Sequence, residues 1–285
     1  MDDAKSLVRS TVELASLPAV VHRALELLNR PNSSASEIGR VISEDPALTA
    51  RLLKIVNSSF YGFPSRIETV SRAITIVGTA ELTDLILGTS AIDAFAKLPN
   101  RLINMQGFWE HSLYAAVVAR ILARQLWATD TERCFVMALL HDIGTLVMCR
   151  KLPDLAGRAM ELAASAGIPL HTAEQEIFGF DHGSVAAELM LAWQLPASFV
   201  TVARYHHQPS AAPDFALETA TVHLADVISG MAQGSASGSG QTPALETGTW
   251  ELTGLSVDVM EPVIAEADAR FGEACAALLP RASAA

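Results

Sequence analysis

The sequence predicts an all-α protein. Three observations carry this. Runs of β-branched residues with period-2 alternation between turns hardly occur. Apolar residues at i, i+3 and i+4 recur along almost the whole chain. Helix-start signals stand at regular places: Ser34-x-x-Glu37 and Thr129-x-x-Glu132 read as capping boxes, and Asp45-Pro46 puts a capping side chain before a first-turn proline. Pro153 and Pro196 are suited to the same first-turn role.

Taken in order, the first half predicts short helices over 4–15, 18–29, 35–43, 46–57, 68–77 and 79–95. Ser34 to Asn57 has the outline of a helix-turn-helix. Its second helix offers only Arg51 and Lys54 to a phosphate backbone, so plain helix packing is the expectation. The loop from Asn57 to Pro64 carries Phe60, Tyr61 and Phe63, which either end a helix in the core or face a partner. The second half is more apolar. It predicts longer helices over 105–126, 131–149, 153–166, 170–178, 182–193, 196–206 and 215–231. A Gly/Ser tract, Gln233 to Gln241, predicts a flexible loop, and a last helix is expected over 256–271. No repeat of 20–50 residues argues for a solenoid.

Composition narrows the function classes. With 285 residues, half of them hydrophobic and 18% charged, the chain can bury a substantial core. A net charge of −11 opposes general binding to nucleic acid and to anionic membrane surfaces. Cys134, Cys149 and Cys275 are widely spaced and form no CxxC pair, which fits small core residues in a reducing compartment. The start, MDDAKSLVRS, has no apolar signal region, and no membrane span is expected, so a cytoplasmic location is predicted.

The chemistry gathers around Leu139-Leu140-His141-Asp142-Ile143-Gly144. An ionised carboxylate in apolar surroundings must be exposed, capped by donors or paired with a cation. Five of the eight histidines, His111, His141, His182, His206 and His207, lie between residues 111 and 207. Helical spacing sets Asp142 on one face with Phe135, Ala138, Leu139 and Leu146, and His111 with Ala115, Val118 and Leu122. Asp226 shares a stripe with Val222. Singly, each is explained as a hydrogen-bonded core residue, and His22, His171 and His223 are read as structural or surface residues on that ground. Jointly, five imidazoles and two carboxylates make an oxygen-and-nitrogen ligand set for a first-row metal. Two cations can share a bridging carboxylate, and Asp142 is the natural bridge. Pattern alone leaves both readings open.

The order His111, His141-Asp142, His182, His206-His207, Asp226 resembles the ligand order of HD-superfamily metal-dependent phosphohydrolases, especially the HD-GYP cyclic-di-GMP phosphodiesterases. The whole chain is more similar to a sister branch, the HDOD domain, an HD-related output domain of bacterial signalling. The stretches that carry this are Asp45-Pro46-Ala47-Leu48-Thr49 with Asn57-Ser58-Ser59-Phe60-Tyr61-Gly62, Ala73 to Gly78, and His141 to Gly144. Phe178 to His182 with Trp193-Gln194-Leu195-Pro196, and Tyr205-His206-His207-Gln208-Pro209, complete the match.

The resemblance implies an HDOD domain over 10–232, with an N-terminal helical lobe (10–100) and an HD-like lobe (101–232). A flexible loop (233–249) and a C-terminal helical extension (250–285) would follow. It implies signalling through protein partners or a small ligand such as a nucleotide, with one or two divalent ions (iron, manganese or zinc) on the seven residues. If the chain is an enzyme, Asp142 is the bridging residue of its metal centre. His111, His141 and Asp226 would hold one ion, and His182, His206 and His207 the other. The chain departs from the active branches at Thr145, where phosphohydrolases often carry a lysine, and at Gln208-Pro209-Ser210, where HD-GYP proteins carry Gly-Tyr-Pro. The expectation is therefore an output module without turnover, with a metal-dependent phosphohydrolase as the alternative and a metal-free adaptor as a third reading. Oligomeric state does not follow from these residues.

Overall fold

The computed structural model describes residues 3–9, 17–28, 30, 33–96, 101–126, 130–233 and 244–279, and among these every regular element is helical. Most of the expected Gly/Ser loop, residues 10–15 of the first expected helix, and Thr129 lie outside the described residues. The elements are α1 (Ala4–Arg9), α2 (Ala19–Leu28), α3 (Ala35–Ser43), α4 (Pro46–Val56), α5 (Val70–Val77) and α6 (Thr79–Ala96). Next come α7 (Met105–Leu126), α8 (Thr131–Leu140), α9 (Ile143–Lys151), α10 (Pro153–Ala166), α11 (Leu170–Phe178) and α12 (His182–Ala192). The last four are α13 (Ala197–Tyr205), α14 (Ala216–Gln233), α15 (Thr249–Thr253) and α16 (Met260–Leu278). The chain divides into two compact units, Met1–Ala15 with Leu98–Ala269, and Ser16–Lys97 with Arg270–Ala285.

In the smaller unit, local chemistry sets the helix starts. Ser34 accepts from the Glu37 amide at 3.2 Å, and Asp45 accepts from the amides of Ala47 and Leu48 at 2.9 and 3.0 Å, just before Pro46. The aromatic loop divides its side chains. Phe60 is buried, while Tyr61 and Phe63 are half-buried and stacked with ring centroids 6.2 Å apart. The loop is clasped by Asn57. Its amide nitrogen donates to the carbonyls of Leu53 and Ile67, and its amide oxygen accepts from the Ile67 N–H, each at 2.7 Å. Asn57→Ala removes all three bonds and is expected to destabilise the protein by about 1–2 kcal/mol in urea denaturation. Unchanged stability would mean that the loop is held by other contacts. The two cations of α4 are engaged within the unit. Arg51 pairs with Asp93 and donates to the Thr89 carbonyl, and Lys54 donates to the Ala276 carbonyl at 2.8 Å.

The larger unit is built around α7. From Gly107 to Ala123 nearly every residue is buried, as expected of a helix that is apolar all round. Helices α8 and α14 pack on it, α12 packs on α9 and α13, and α1 packs on α12 and α9. Two polar side chains of α7 find partners inside the unit: Arg120 pairs with Glu132 at 2.6 Å, and the Tyr114 hydroxyl donates to Asp268 at 2.7 Å. The Trp193-Gln194-Leu195-Pro196 stretch is a helix reversal. Trp193 is buried at the end of α12, Gln194 takes a left-handed conformation with φ 58°, and the Leu195 amide closes on the Met190 carbonyl at 3.0 Å.

Several boundaries differ from expectation. The helix predicted over 131–149 is two helices, α8 and α9, with His141 and Asp142 in the turn between them. Asp142 (φ −94°, ψ 3°) leaves the helical region, and the Thr145 amide bonds its carbonyl at 2.9 Å, which redirects α9 onto α12. The cap of α8 is Asp130, accepting from the amides of Glu132 and Arg133 at 3.1 and 3.0 Å, while the Glu132 side chain turns inward to Arg120. Pro153 does begin α10, but Pro196 stands one position before α13. The last helix runs over Met260–Leu278, and the short α15 was not predicted.

Candidate metal centre

All seven residues singled out in the sequence meet in the larger unit. They arrive from α7 (His111), the α8–α9 turn (His141 and Asp142), the start of α12 (His182), the turn after α13 (His206 and His207) and α14 (Asp226). They form two groups, Asp142 with His182, His206 and His207, and His111 with His141 and Asp226. Within each group the candidate ligand atoms lie within 4.8 Å of one another. Asp142 touches both. Its Oδ1 lies 3.1 Å from His182, 3.3 Å from His141 and 3.6 Å from His206, and its Oδ2 lies 4.0 Å from His111. Asp226 Oδ1 lies 3.0 Å from His111 and 3.5 Å from His141.

Two glycines allow this convergence. A Cβ on Gly144 would sit 2.0 Å from the His182 carbonyl oxygen and 2.7 Å from the Ala186 nitrogen, so α9 and α12 touch backbone to backbone. A Cβ on Gly183 would sit 2.7 Å from the Ala203 carbonyl oxygen, so α12 also lies close against α13. The first contact sets Asp142 against His182, and the second sets His182 against the His206-His207 pair. Asp181 fixes the start of α12 by accepting from the Ser184 amide at 2.8 Å.

Every imidazole of the seven presents Nε2 to the centre. Three are held so by their other nitrogen. His141 Nδ1 donates to the Ala138 carbonyl at 2.6 Å, His206 Nδ1 to the Ala203 carbonyl at 2.7 Å, and His182 Nδ1 to Glu174 at 2.6 Å. A proton placed on Nδ1 leaves the Nε2 lone pair facing inward, as a metal ligand requires. The Nε2 atoms of His141 and His206 are buried without a hydrogen-bond partner. Nε2 of His207 lies 2.8 Å from Nε2 of His182, so one of the two must carry a proton or both must face a common cation. Buried, unpartnered nitrogens around two carboxylates fit a first-row divalent ion. Such an ion supplies Lewis acidity toward a phosphoryl oxygen and acidifies a bound water.

Without an ion, protons take the cation's part. Burial pushes the His141 imidazolium down, but the carboxylates of Asp142 and Asp226 outweigh it and hold the group up at about 10. His182 is also opposed by burial and raised well above its usual value by Glu174 and Asp142. Burial would raise Asp142, yet His141, His182 and His206 hold it well below the carboxylate range. Asp226 is held low in the same way by His111 and His141. His207, pushed down by burial and by the neighbouring imidazoles, is neutral.

A pH dependence follows. An unfolded imidazole titrates near about 6.5, and folded His141 near 10. The proton therefore stabilises the metal-free fold fully below about pH 6.5, and this contribution is lost as pH rises through 10. Metal needs the deprotonated ring. Metal uptake at pH 8 is expected to release about one to two protons, with apparent affinity rising as pH rises toward about 10. Calorimetry in two buffers of different ionisation enthalpy counts them, and zero release would contradict the assignment.

Sequence reasoning missed two neighbours of the centre. Glu174, on α11, is buried and accepts from both the Nδ1 and the backbone amide of His182, at 2.6 and 2.9 Å. Its only signal is its place eight residues before a candidate ligand. His171 stacks on His207 with ring centroids 4.0 Å apart. His223, read as a structural or surface residue, is buried. It donates from Nδ1 to the His206 carbonyl at 2.7 Å and accepts at Nε2 from the Glu246 amide at 3.0 Å.

Comparison with known proteins agrees with this architecture. An uncharacterised protein of Treponema pallidum is 26% identical over 215 residues, which is 74% of this chain; the chain spans about two fifths (41%) of that relative's length. Three solved structures share the fold. An HDOD domain protein from Geobacter sulfurreducens has a TM-score of 0.76 at 23% identity, covering 97% of this chain and 98% of its own. A phosphohydrolase candidate from Shewanella amazonensis has a TM-score of 0.74 at 21% identity, covering 95% and 97%. A candidate signal transduction protein from Marinobacter aquaeolei has 0.73 at 22%, covering 94% of this chain and 60% of its own. The HDOD domain profile matches residues 14–209, more than half of the chain, and the chain therefore belongs to the HDOD domain family.

Proposed function

We propose that the chain is a signalling output module whose larger unit holds one or two divalent ions, and that it signals by binding rather than by turnover. The observation that carries the metal is the set of five Nε2 atoms turned toward Asp142 and Asp226, with those of His141 and His206 buried and unpartnered. His111, His141 and Asp226 hold one ion; His182, His206 and His207 hold the other; Asp142 lies between them. The reading without turnover is supported by positions 145 and 208–210. Thr145 and Gln208-Pro209-Ser210 add no cation for a phosphate. A fold neighbour named as a signal transduction protein points the same way. The partners are signalling proteins, and a nucleotide is the small ligand to test. We place the chain in a reducing, cytoplasmic setting because Cys134, Cys149 and Cys275 form no disulfide; no helix among the described residues is long and apolar enough to cross a membrane.

A second reading, metal-dependent phosphohydrolase, is favoured by one specific observation. Asp142 touches both ligand groups and keeps 19% of its side chain exposed, so solvent reaches the bridging carboxylate. Elemental analysis of protein purified without a nickel column decides the first step. Stoichiometric iron, manganese or zinc is expected, and metal-free protein would leave only an adaptor. Hydrolysis assays on cyclic dinucleotides, guanosine tetraphosphate and nucleotides decide the second. No turnover is expected; turnover lost in Asp142→Ala would move the conclusion to the enzyme.

A further inference from the structure

We propose that His171 is a positioning residue for the centre: its ring, stacked on His207, aims the inward imidazole that no Nδ1 bond or carboxylate contact aims. The inference rests on the metal reading above. Of the five inward imidazoles, His141, His206 and His182 are aimed through Nδ1 by the Ala138 carbonyl, the Ala203 carbonyl and Glu174. His111 is aimed through Nε2 by Asp226 at 3.0 Å. His207 has neither device. Its Nδ1 is buried without a partner, and its Nε2 meets only the Nε2 of His182. It stands in the turn after α13, whose backbone is held by the Gln208 amide on the Tyr205 carbonyl at 2.8 Å and by His223 on the His206 carbonyl, so the ring and not the backbone is what needs aiming.

His182 meets the His207 ring edge-on at 4.8 Å between centroids with planes at 89°, and two further rings flank it. His206 lies on one contact at 3.9 Å between centroids with planes at 49°, and His171 on the other at 4.0 Å with planes at 23°. His206 is committed to the centre through its own Nε2. His171, on the first turn of α11, belongs to neither ligand group, so its ring is free to serve as a wall. A near-parallel ring at this distance blocks rotation about the His207 Cβ–Cγ bond, because turning the imidazole edge-on would drive it into His171. It also keeps water from the half-buried outer side of His207. Glu174 lies one helical turn further along α11 and aims His182. One face of α11 therefore aims both imidazoles that meet at 2.8 Å, one by a hydrogen bond and one by a stacked plane.

The role is that of a plane and not of a nitrogen, which separates it from a further ligand. The test titrates cobalt(II) into the full chain, as wild type, His171→Phe, His171→Leu and His171→Ala, and follows the visible d–d bands with thermal unfolding in parallel. Phe keeps the plane and removes the nitrogens, and should match wild type in bands and affinity. Leu and Ala remove the plane; they should weaken cobalt binding roughly tenfold and change the bands, with metal-free unfolding temperatures close to that of the Phe variant. Wild-type affinity and bands in both Leu and Ala variants would overturn the proposal. So would a Phe variant as impaired as Leu, which would assign the effect to the nitrogens. Wild-type protein that takes up no cobalt would instead remove the metal reading itself.

Discussion

Asp142→Asn protein is expected to fold and to hold no divalent ion at either ligand group. The substitution keeps the size and one oxygen of the side chain and removes its charge. Asp142 Oδ1 lies within 3.6 Å of His141, His182 and His206 together, and Oδ2 reaches toward His111. Both groups lose their shared anion at once, and affinity should drop by roughly a hundredfold or more, beyond what outer-shell changes cost at metal sites. Metal analysis after equilibration with excess ion and desalting reads this directly. The metal-free protein changes as well. A carboxylate held below its unfolded pKa stabilises the fold above about pH 3.9 and loses that contribution as pH falls through its folded value. Asn removes it, and the imidazolium of His141 is left with Asp226 alone. Breaking such a pair costs about 3–5 kcal/mol when it is fully buried. Asp142 is 19% exposed, so about 2 kcal/mol at pH 7 is the discounted expectation. An Asp142→Asn protein with wild-type metal content would place the ions elsewhere.

The fold class and the members of this centre were legible because their causes are local or periodic. Ser34 and Asp45 cap within three residues of themselves, so their signals survive in sequence. His111 and Asp226 interrupt strong apolar stripes, and both are buried as those stripes require. The break at His141-Asp142 was not legible. Phe135, Ala138, Leu139 and Leu146 keep helical period across it, and all four are buried. Periodicity records burial, and burial continues on both sides of a two-residue turn. The roles of Glu174 and His171 were hidden for a different reason. Each depends on how α11 lies against α12 and the His206-His207 turn, a matter of tertiary packing with no period of its own. Asp130 caps α8 while the Glu132 side chain is drawn inward to Arg120, a contact between α7 and α8 that no capping pattern encodes.

Gly144→Ala should be among the most damaging single-methyl changes available to this chain. The added Cβ would lie 2.0 Å from the His182 carbonyl oxygen, 2.9 Å from its carbonyl carbon and 2.7 Å from the Ala186 nitrogen. All three are backbone atoms, so no rotamer change relieves the overlap. Ordinary contact begins near 3.4 Å, and α9 and α12 must separate by more than an ångström at this point. Overpacking a core typically costs about 1–3 kcal/mol, and a rigid backbone clash belongs at or above the upper end. About 3 kcal/mol corresponds to a fall in Tm of roughly 6–12 °C for a body of this size. The same separation carries His182 away from Asp142, so metal affinity should fall with stability, although position 144 offers no ligand atom. Gly157→Ala is the control. It adds the same methyl to the middle of α10, where a Cβ meets only Leu102 at 3.8 Å, and should stabilise by about 0.5–1 kcal/mol through helix propensity. Urea denaturation of the two variants, each with and without metal, separates the terms. If Gly144→Ala unfolded like its control yet kept its metal, the backbone contact between α9 and α12 would not be what brings Asp142 and His182 together. The glycine after His141-Asp142-Ile143 is thus a packing requirement of the centre, which is why a residue without a side chain stands beside the groups that do the binding.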